Sequence, residues 1–191
     1  MPIGISSDRL QKVHNSAMSY DDYLAVTPDR AEPWRENDAR IQLSQEQQAL
    51  LSSFVREMNV IVLSGVWCGD CSSQGPMLAA IAAASPTIDL RWLDRDEAAD
   101  VSEHLSINAG HRVPTVVFMA EDYEPVSVMG DRTLTRYRSM AARNLGASCD
   151  IPGATIPVDE YSETLQEWLN EFERVQLLLR LSARLRQKHG D

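Results

Sequence analysis

Four short apolar runs mark the middle of the chain, at residues 60–63, 88–93, 116–119 and 126–129. Each is as long as a typical strand, and the first is apolar at every position, which is typical of a strand covered on both faces. Stretches with apolar residues at helical spacing lie before and between these runs. The order of helix, strand, helix, strand, helix, strand, strand and helix predicts an α/β fold in which crossover helices cover both faces of a small sheet.

Local signals support the predicted helices of this unit. Residues 44–47 are Ser-Gln-Glu-Gln, the pattern of a capping box, and a run with helical spacing follows them. Residues 73–84 form the next predicted helix, which we expect Pro76 to kink because proline lacks the N–H that a helix interior needs. Two further helices are predicted at residues 98–105 and 133–145.

Both ends of the chain extend beyond this unit. At the N-terminal end we predict a short helix within residues 6–23. A loop is expected over residues 27–37, which are rich in proline and charge and include Trp34 as an anchor to the body. At the C-terminal end, a linker over residues 146–157 with Gly and Pro precedes one long helix, predicted at residues 159–188.

These patterns divide the chain into three predicted segments. Residues 1–43 are a helical and loop extension, residues 44–145 are the α/β domain, and residues 146–191 are a linker and a C-terminal helix that packs on the domain. The apolar stripe of this last helix, which includes Trp168, is wider than a surface helix needs. It is interpreted as a packing surface within the chain, with a dimer interface or partner groove as the alternative.

Composition narrows the class of protein. A net charge of −10 argues against binding to nucleic acid or to an anionic membrane surface, because both attract basic patches. Residues 1–8 lack the features of a secretory signal, and no apolar stretch is long enough to span a membrane. Three cysteines are too few for a disulfide scaffold. We therefore expect a cytoplasmic protein, and its oligomeric state stays open.

The candidate chemistry lies in Cys68 and Cys71, which follow the first predicted strand and precede a predicted helix. Cysteine reacts as the thiolate, and free backbone N–H groups at a helix start stabilise negative charge. The C-x-x-C spacing lets the second thiol reach the first within one helical turn. In a reducing compartment such a pair is more often catalytic or metal-binding than structural. We interpret it as a thiol–disulfide exchange site.

The alternatives for these two cysteines are a metal site and inert buried thiols. A tetrahedral zinc site needs four ligands, and the only further candidates are His104, His111 and Cys149, none of which lies in a second paired motif. We therefore predict no metal and no cofactor. Cys149 is interpreted as an unpaired thiol, with a regulatory or intermolecular disulfide as the alternative. His111 is interpreted as a solvated loop residue, with a substrate contact as the alternative.

Several motifs together resemble the thioredoxin family. Residues 67–71 have the sequence WCGDC after an apolar strand, and Pro76 matches the proline in the helix after the thioredoxin active site. Val113-Pro114-Thr115 resembles the cis-proline loop that faces the dithiol, and Gly130 lies where thioredoxins commonly have a glycine. The resemblance covers residues 44–145 and is strongest to a bacterial WCGDC-type branch. It implies a thioredoxin-like fold, with a mixed central sheet of about four strands and helices on both faces.

The resemblance also implies a mechanism. Cys68 would be the exposed nucleophile that attacks a substrate disulfide, and Cys71 would attack the mixed disulfide and release the reduced substrate. Pro114 would be cis. The residues expected to bind the substrate are Trp67, Gly69, Asp70, Arg112, Val113, Pro114 and Thr115. The expected partners are a protein or small-molecule disulfide and a thiol reductant system.

Two positions depart from the thioredoxin pattern. Asp70 stands where thioredoxins usually have proline between the cysteines, and Val62 stands where they have a buried acid that assists proton transfer. A carboxylate between two thiols opposes thiolate formation, so we expect a partly exposed Asp70 to raise the thiol pKa and make the site more reducing. Arg112 is a candidate for the opposite effect if it faces the dithiol, and a solvated loop charge otherwise.

Two functions from different classes remain open at this point. The first is an enzyme, a protein disulfide reductase, which the second thiol favours because a pure scaffold would not need it. The second is a redox-sensing protein-binding module with little turnover. The long C-terminal helix and the absence of an acid at Val62 favour this second function.

Overall fold

A four-stranded mixed sheet forms the centre of the protein in a computed structural model that describes residues 4–145 and 158–191. The strands are β1 (Met58–Ser64), β2 (Ile88–Asp94), β3 (Thr115–Ala120) and β4 (Pro125–Gly130), in the sheet order β2-β1-β3-β4. β1 is parallel to β2 and antiparallel to β3, and β3 is antiparallel to β4. The predicted mixed sheet of four strands is therefore confirmed.

Helices cover both faces of this sheet, so its two central strands are almost completely buried. All of β3 is buried, and so is β1 except Asn59, whose side-chain amide donates to the carbonyl of Ala120 at 3.0 Å. The covering helices include α4 (Gln45–Ser52), α5 (Gly69–Ala83), α6 (Ala99–His104) and α7 (Leu134–Asn144). The capping box at Ser44 and Gln47 is confirmed at the start of α4. α5 begins earlier than predicted and continues through Pro76.

The N-terminal extension is more helical than its sequence suggests. It contains α1 (Ser7–Ser16), α2 (Tyr20–Val26), a 3₁₀ turn (Pro28–Arg30) and α3 (Glu32–Asp38). The predicted loop at residues 27–37 is wrong, because Pro33 lies in the first turn of α3, where the missing N–H of proline removes no helical hydrogen bond. The short helix predicted within residues 6–23 is confirmed as α1, which ends before Met18, where the chain forms an antiparallel bridge with Trp92 of β2.

An aromatic cluster joins this extension to the sheet and to α5. We use the name for Tyr20 and Tyr23 of α2, Trp34 of α3 and Trp92 of β2, whose rings lie 5.3–6.2 Å apart. Trp34 packs so closely on Gly75 of α5 that a Cβ atom there would lie 2.2 Å from the indole. Its Nε1 donates to the carbonyl of Val66 at 3.0 Å. The extension therefore contacts the segment that connects β1 to α5.

The C-terminal segment forms two helices, α8 (Glu160–Leu181) and α9 (Ala183–His189). The prediction of one continuous helix is wrong at Ser182, which has an extended backbone and begins α9 in a new direction that buries Leu185. On α8, Phe172 packs edge-on against Phe118 with ring centroids 5.0 Å apart, and Trp168 Nε1 donates to Gln74 Oε1 at 3.0 Å. No helix in the described ranges is long and apolar enough to cross a membrane.

Candidate active site

The two cysteines lie where β1 leads into α5. Cys68 is the N-cap residue of α5 and has an extended backbone, and its N–H donates to the carbonyl of Gly65 at 2.9 Å. Cys71 lies in the first helical turn and is fully buried, whereas Cys68 is half-buried. This placement follows from the sequence, because a buried apolar strand ends just before the pair and the next residues can begin a helix. Both are free thiols.

The two thiols have opposite pKa shifts. The pKa of Cys68 is lowered to about 6, chiefly by a hydrogen bond from the Cys71 thiol. Partial burial opposes this shift, the backbone N–H groups of Cys71 and Asp70 support it, and the Asp70 carboxylate weakly opposes it. The pKa of Cys71 is raised well above its ordinary value by burial and by the proton that it shares with Cys68. Cys68 is thus the sulfur that ionises first.

The loop before β3 lies against Cys68. The Val113–Pro114 peptide bond is cis, and Cys68 Sγ lies 3.6 Å from the carbonyl oxygen of Val113. Thr115 closes the loop by donating its hydroxyl to the carbonyl of Arg112 at 2.8 Å. Gly130, at the end of β4, packs on this loop, since a Cβ atom there would lie 2.6 Å from the Pro114 carbonyl oxygen. The sheet therefore brings together two motifs that are far apart in the sequence.

Trp67 and Gly69 form the open side of the site. Trp67 is 44% exposed, and the guanidinium of Arg95 lies over its ring at 4.7 Å from the centroid. Gly65 lies against this ring, because a Cβ atom at that position would lie 2.7 Å from the indole. Gly69 is exposed and has no atom within 4 Å of a built Cβ. Exposed apolar surface and open space thus adjoin the half-buried Cys68.

Asp70 forms ion pairs that its sequence position does not reveal. Its side chain is only 14% exposed, and its two oxygens lie 2.5 Å from Nη2 of Arg132 and 2.5 Å from Nη2 of Arg136. Arg136 also pairs with Glu160 of α8 at 3.0 Å. Two guanidinium groups therefore compensate the carboxylate. Its charge raises the Cys68 pKa, as expected, although the hydrogen bonds that Cys68 receives outweigh this effect.

Arg112 pairs with a buried carboxylate. Its Nη1 lies 3.3 Å from Oδ2 of Asp131, and the same oxygen lies 2.8 Å from Nη1 of Arg132. The other oxygen of Asp131, Oδ1, accepts a hydrogen bond from the Tyr137 hydroxyl. Burial opposes ionisation of Asp131, but these donors outweigh it and lower the pKa of that carboxyl. The guanidinium of Arg112 is thus paired with the buried Asp131, while its side chain remains 39% exposed.

The other predicted candidates lie elsewhere. His111 Nδ1 lies 3.2 Å from both the hydroxyl and the carbonyl oxygen of Ser102, so this side chain contacts α6 rather than the dithiol. His104 Nδ1 lies 2.8 Å from the carbonyl of Asp100. Cys149 and the predicted linker at residues 146–157 lie outside the described residues. Within the part that is described, no three His, Cys, Asp or Glu side chains are grouped as metal ligands.

The sequence reasoning missed four residues of this region. Arg132 and Arg136 pair with Asp70, and the buried residues Ser64 and Tyr23 interact electrostatically with the dithiol. Ser64 directly follows the strand predicted at residues 60–63 and could have been identified from that position. The other three come from distant segments, and no local pattern connects them with the cysteines.

Two solved structures resemble this fold over most of its length. One is a protein of unknown function from Pseudomonas aeruginosa, with a TM-score of 0.67, 14% identity, and coverage of 90% of this chain and 96% of that chain. The other is an HIV epitope scaffold, with a TM-score of 0.64, 12% identity, and coverage of 86% and 95%. At these identities the likeness concerns the fold alone.

Sequence comparison identifies the family. Thioredoxin H-type 1 from Nicotiana tabacum is 33% identical over 75 residues, which are 39% of this chain. The match spans 57% of the length of that curated relative. A family model described as thioredoxin matches residues 17–143, which include the dithiol, the cis-proline loop and α7 except its last residue. Because this match covers well over half of the sequence, the chain belongs to the thioredoxin family.

Proposed function

We propose that this protein is a thiol–disulfide oxidoreductase that reduces disulfides through Cys68 and Cys71. The observation that carries the proposal is the asymmetry of the pair. Cys68 is half-buried with a pKa of about 6, and Cys71 is fully buried with a raised pKa. At neutral pH the accessible Cys68 is therefore a thiolate, and the buried Cys71 keeps its proton. Disulfide exchange needs this difference, because one sulfur must attack the substrate while the other waits to resolve the mixed disulfide.

The first step forms a mixed disulfide. The Cys68 thiolate attacks one sulfur of the substrate disulfide, a bond forms between these two sulfurs, and the other substrate sulfur leaves as a thiolate. The Val113 carbonyl, 3.6 Å from Cys68 Sγ, and the exposed ring of Trp67 flank the path of approach. We assign Trp67, Gly69 and the backbone of Val113, Pro114 and Thr115 to the surface that contacts the substrate.

The second step releases the substrate. Cys71 loses its proton and attacks Cys68, the Cys68–Cys71 disulfide forms, and the second substrate sulfur leaves as a thiolate that takes up a proton. Two electrons have then passed from the protein to the substrate. A thiol reductant restores the dithiol, and we propose such a reductant system as the second partner. We assign Asp70 and Arg112 an electrostatic influence on the site. Asp70 forms ion pairs with Arg132 and Arg136, and Arg112 forms one with Asp131.

Insulin reduction in the presence of dithiothreitol tests this activity. We expect the wild-type protein to accelerate the precipitation of reduced insulin, and both Cys68→Ser and Cys71→Ser to abolish the acceleration. Cys149→Ser is the matched control, because it removes the remaining thiol and keeps the reacting pair. A wild-type rate no higher than that of Cys68→Ser would reject the enzyme and support the redox-sensing binding module instead.

The reduction potential tests the direction of exchange. We propose a cytoplasmic reductase of the bacterial WCGDC-type branch, so the potential of the Cys68–Cys71 pair is expected at or below the glutathione poise of about −220 to −260 mV. Equilibration with glutathione mixtures, followed by thiol alkylation, measures it. A potential near about −120 mV would indicate an oxidant of protein thiols.

A further inference from the structure

Asp70 places a negative charge between the two reacting thiols. It lies two residues after Cys68 and directly before Cys71, in the first turn of α5. A carboxylate beside a cysteine disfavours the thiolate through charge repulsion. The first step of the proposed reaction nevertheless requires Cys68 to attack as a thiolate. The partners of the Asp70 carboxylate therefore bear on the reaction.

Two arginines hold this carboxylate. Arg132 follows β4, and Arg136 lies in the first turn of α7. Nη2 of Arg132 lies 2.5 Å from Asp70 Oδ2, and Nη2 of Arg136 lies 2.5 Å from Asp70 Oδ1. Nε of Arg136 lies 3.2 Å from the same Oδ1. Each oxygen of the carboxylate thus has its own guanidinium.

The three side chains of this contact are mostly buried. Their exposed fractions are 14% for Asp70, 19% for Arg132 and 17% for Arg136. Water and dissolved salt screen partly buried charges much less than charges on an open surface. The charges of all three groups therefore act on their surroundings more strongly than those of an exposed ion pair, which contributes little.

Each arginine is also held by a second carboxylate. Nη1 of Arg132 lies 2.8 Å from Oδ2 of Asp131, and Nη1 of Arg136 lies 3.0 Å from Oε1 of Glu160 on α8. Nη1 of Arg136 is also 3.3 Å from the hydroxyl of Ser73 on α5. Contacts from several elements thus fix both guanidinium groups against Asp70.

We propose that Arg132 and Arg136 are positioning residues of the dithiol, which neutralise the Asp70 carboxylate and thereby preserve Cys68 as the nucleophile. This inference rests on the proposed disulfide reductase. The guanidinium nitrogens lie 2.5 Å from the carboxylate oxygens, so opposite charges act on the Cys68 sulfur from nearly the same place and largely cancel. The segment that follows β4 and the start of α7 thereby become part of the reacting site.

Other charged and titratable groups also surround the dithiol. Among the described residues, however, only Arg132 and Arg136 form ion pairs with Asp70. The groups that face the site are Asp70 and Cys71 of α5, Asp131 and Arg132 after β4, Arg136 of α7, Glu160 of α8, Arg112 before the cis-proline, Arg95 after β2 and Tyr23 of α2.

The pH dependence of Cys68 alkylation tests the role of the two arginines. In a Cys149→Ser background, Arg132→Gln/Arg136→Gln is expected to raise the alkylation midpoint from about 6 by about one pH unit. At pH 6 the rate of reaction with iodoacetamide then falls about fivefold, because less of the sulfur is thiolate. Near pH 9 the two rates converge. Mass spectrometry identifies the labelled cysteine.

Arg143→Gln is the matched control for charge. It removes an arginine of the same helix that lies 3.0 Å from Oε2 of Glu160 and forms no ion pair with Asp70 among the described residues. Its midpoint is expected to match that of the unsubstituted protein. Arg132→Lys/Arg136→Lys keeps both charges but loses the planar geometry, so its midpoint should rise less than that of the glutamine variant. Equal rises in all three variants would overturn the proposal.

Asp70→Asn separates charge from packing. Added to Arg132→Gln/Arg136→Gln, it removes the carboxylate that the arginines no longer neutralise, and the midpoint is expected to return to about 6 or below. If the arginines only fasten α7 to α5, the loss of Asp70 would not reverse the rise. A rise that persists after Asp70→Asn, or no rise in Arg132→Gln/Arg136→Gln, contradicts the proposal.

The single variants Arg132→Gln and Arg136→Gln keep the test decisive if the double variant does not fold. Each leaves one guanidinium on Asp70, so a smaller rise in the same direction is expected, and no rise in either one overturns the proposal. Alkylation requires no turnover of a disulfide. The expected midpoints without insulin reduction would contradict the reductase alone, whereas insulin reduction with unchanged midpoints would contradict the role of the arginines alone.

Discussion

At the scale of single residues, the reactivity of Cys68 depends most on Cys71. The hydrogen bond from the Cys71 thiol is the largest influence that lowers the Cys68 pKa, ahead of the N–H groups at the start of α5. The second cysteine therefore has two functions in the proposed cycle. It stabilises the attacking thiolate before the reaction, and it resolves the mixed disulfide afterwards.

Substitution of Cys71 is expected to separate these influences. In Cys71→Ala the hydrogen bond to Cys68 is lost, so the Cys68 pKa should rise from about 6 toward its ordinary value. In Cys71→Ser a hydroxyl donor remains, and the rise should be smaller. The pH dependence of alkylation by iodoacetamide measures both midpoints. A midpoint that stays near that of the wild type in Cys71→Ala would assign the shift to the helix N-terminus instead.

Local sequence is informative about the reacting residues and uninformative about their surroundings. Cys68, Cys71 and Pro114 lie in motifs whose spacing is visible in the chain. The ion pairs of Asp70 could not be predicted in the same way, because its partners Arg132 and Arg136 follow β4. A pKa depends on every charge that folding brings near, and these partners have no signal in the WCGDC segment.

At the scale of elements, α3 and α5 approach each other unusually closely. Gly75 lies where the buried indole of Trp34 crosses α5, and the same indole holds the Val66 carbonyl. A helix interior normally disfavours glycine relative to alanine. Its presence here is explained by the 2.2 Å that would separate a Cβ atom from the ring.

Gly75→Ala is expected to destabilise the protein despite the higher helix propensity of alanine. The side chain would overpack a rigid, fully buried indole, so we expect a loss of about 2 kcal/mol in the free energy of unfolding by urea. Gly69→Ala is the control in the same helix, because no atom lies within 4 Å of its built Cβ. Equal urea midpoints for the two variants would show that Trp34 can move aside.

The two wrong element predictions have a common physical cause. Proline and charge at residues 27–37 resemble a loop, but Pro33 falls in the one helical turn that tolerates it, and burial of Trp34 stabilises α3. The apolar spacing of the last helix continues past Ser182, where the chain nevertheless turns. In both cases packing against the rest of the protein determines where the helix lies, and the spacing of apolar residues alone does not indicate it.

At the scale of the whole molecule, ion pairs connect α9 to the end of the central sheet. The side chain of Glu121, at the end of β3, is 6% exposed and lies 2.5 Å from Lys188 Nζ and 2.7 Å from His189 Nε2. Arg56, which precedes β1, pairs with Asp191. Burial opposes ionisation of Glu121, but the two hydrogen bonds outweigh it and lower the pKa of that carboxyl.

This contact predicts a pH dependence of stability. Because the folded-state pKa of Glu121 is lowered, its contribution is fully present above the ordinary carboxyl pKa of 4.5 and is lost as the pH falls through the folded-state value. Between about pH 5 and pH 3, Glu121→Gln should therefore lose less stability than the wild type in urea titrations. The exposed Glu124→Gln should behave like the wild type. An identical pH profile for Glu121→Gln would contradict the assignment.

The four tryptophans give the molecule an optical property. Trp34, Trp92 and Trp168 have no exposed surface, and Trp67 alone is exposed, next to Cys68 in the chain. Soluble quenchers thus have one accessible indole, and that indole belongs to the residue that precedes the proposed nucleophile, Cys68. The native protein thereby carries its own fluorophore for following oxidation, while three shielded indoles supply a constant internal standard.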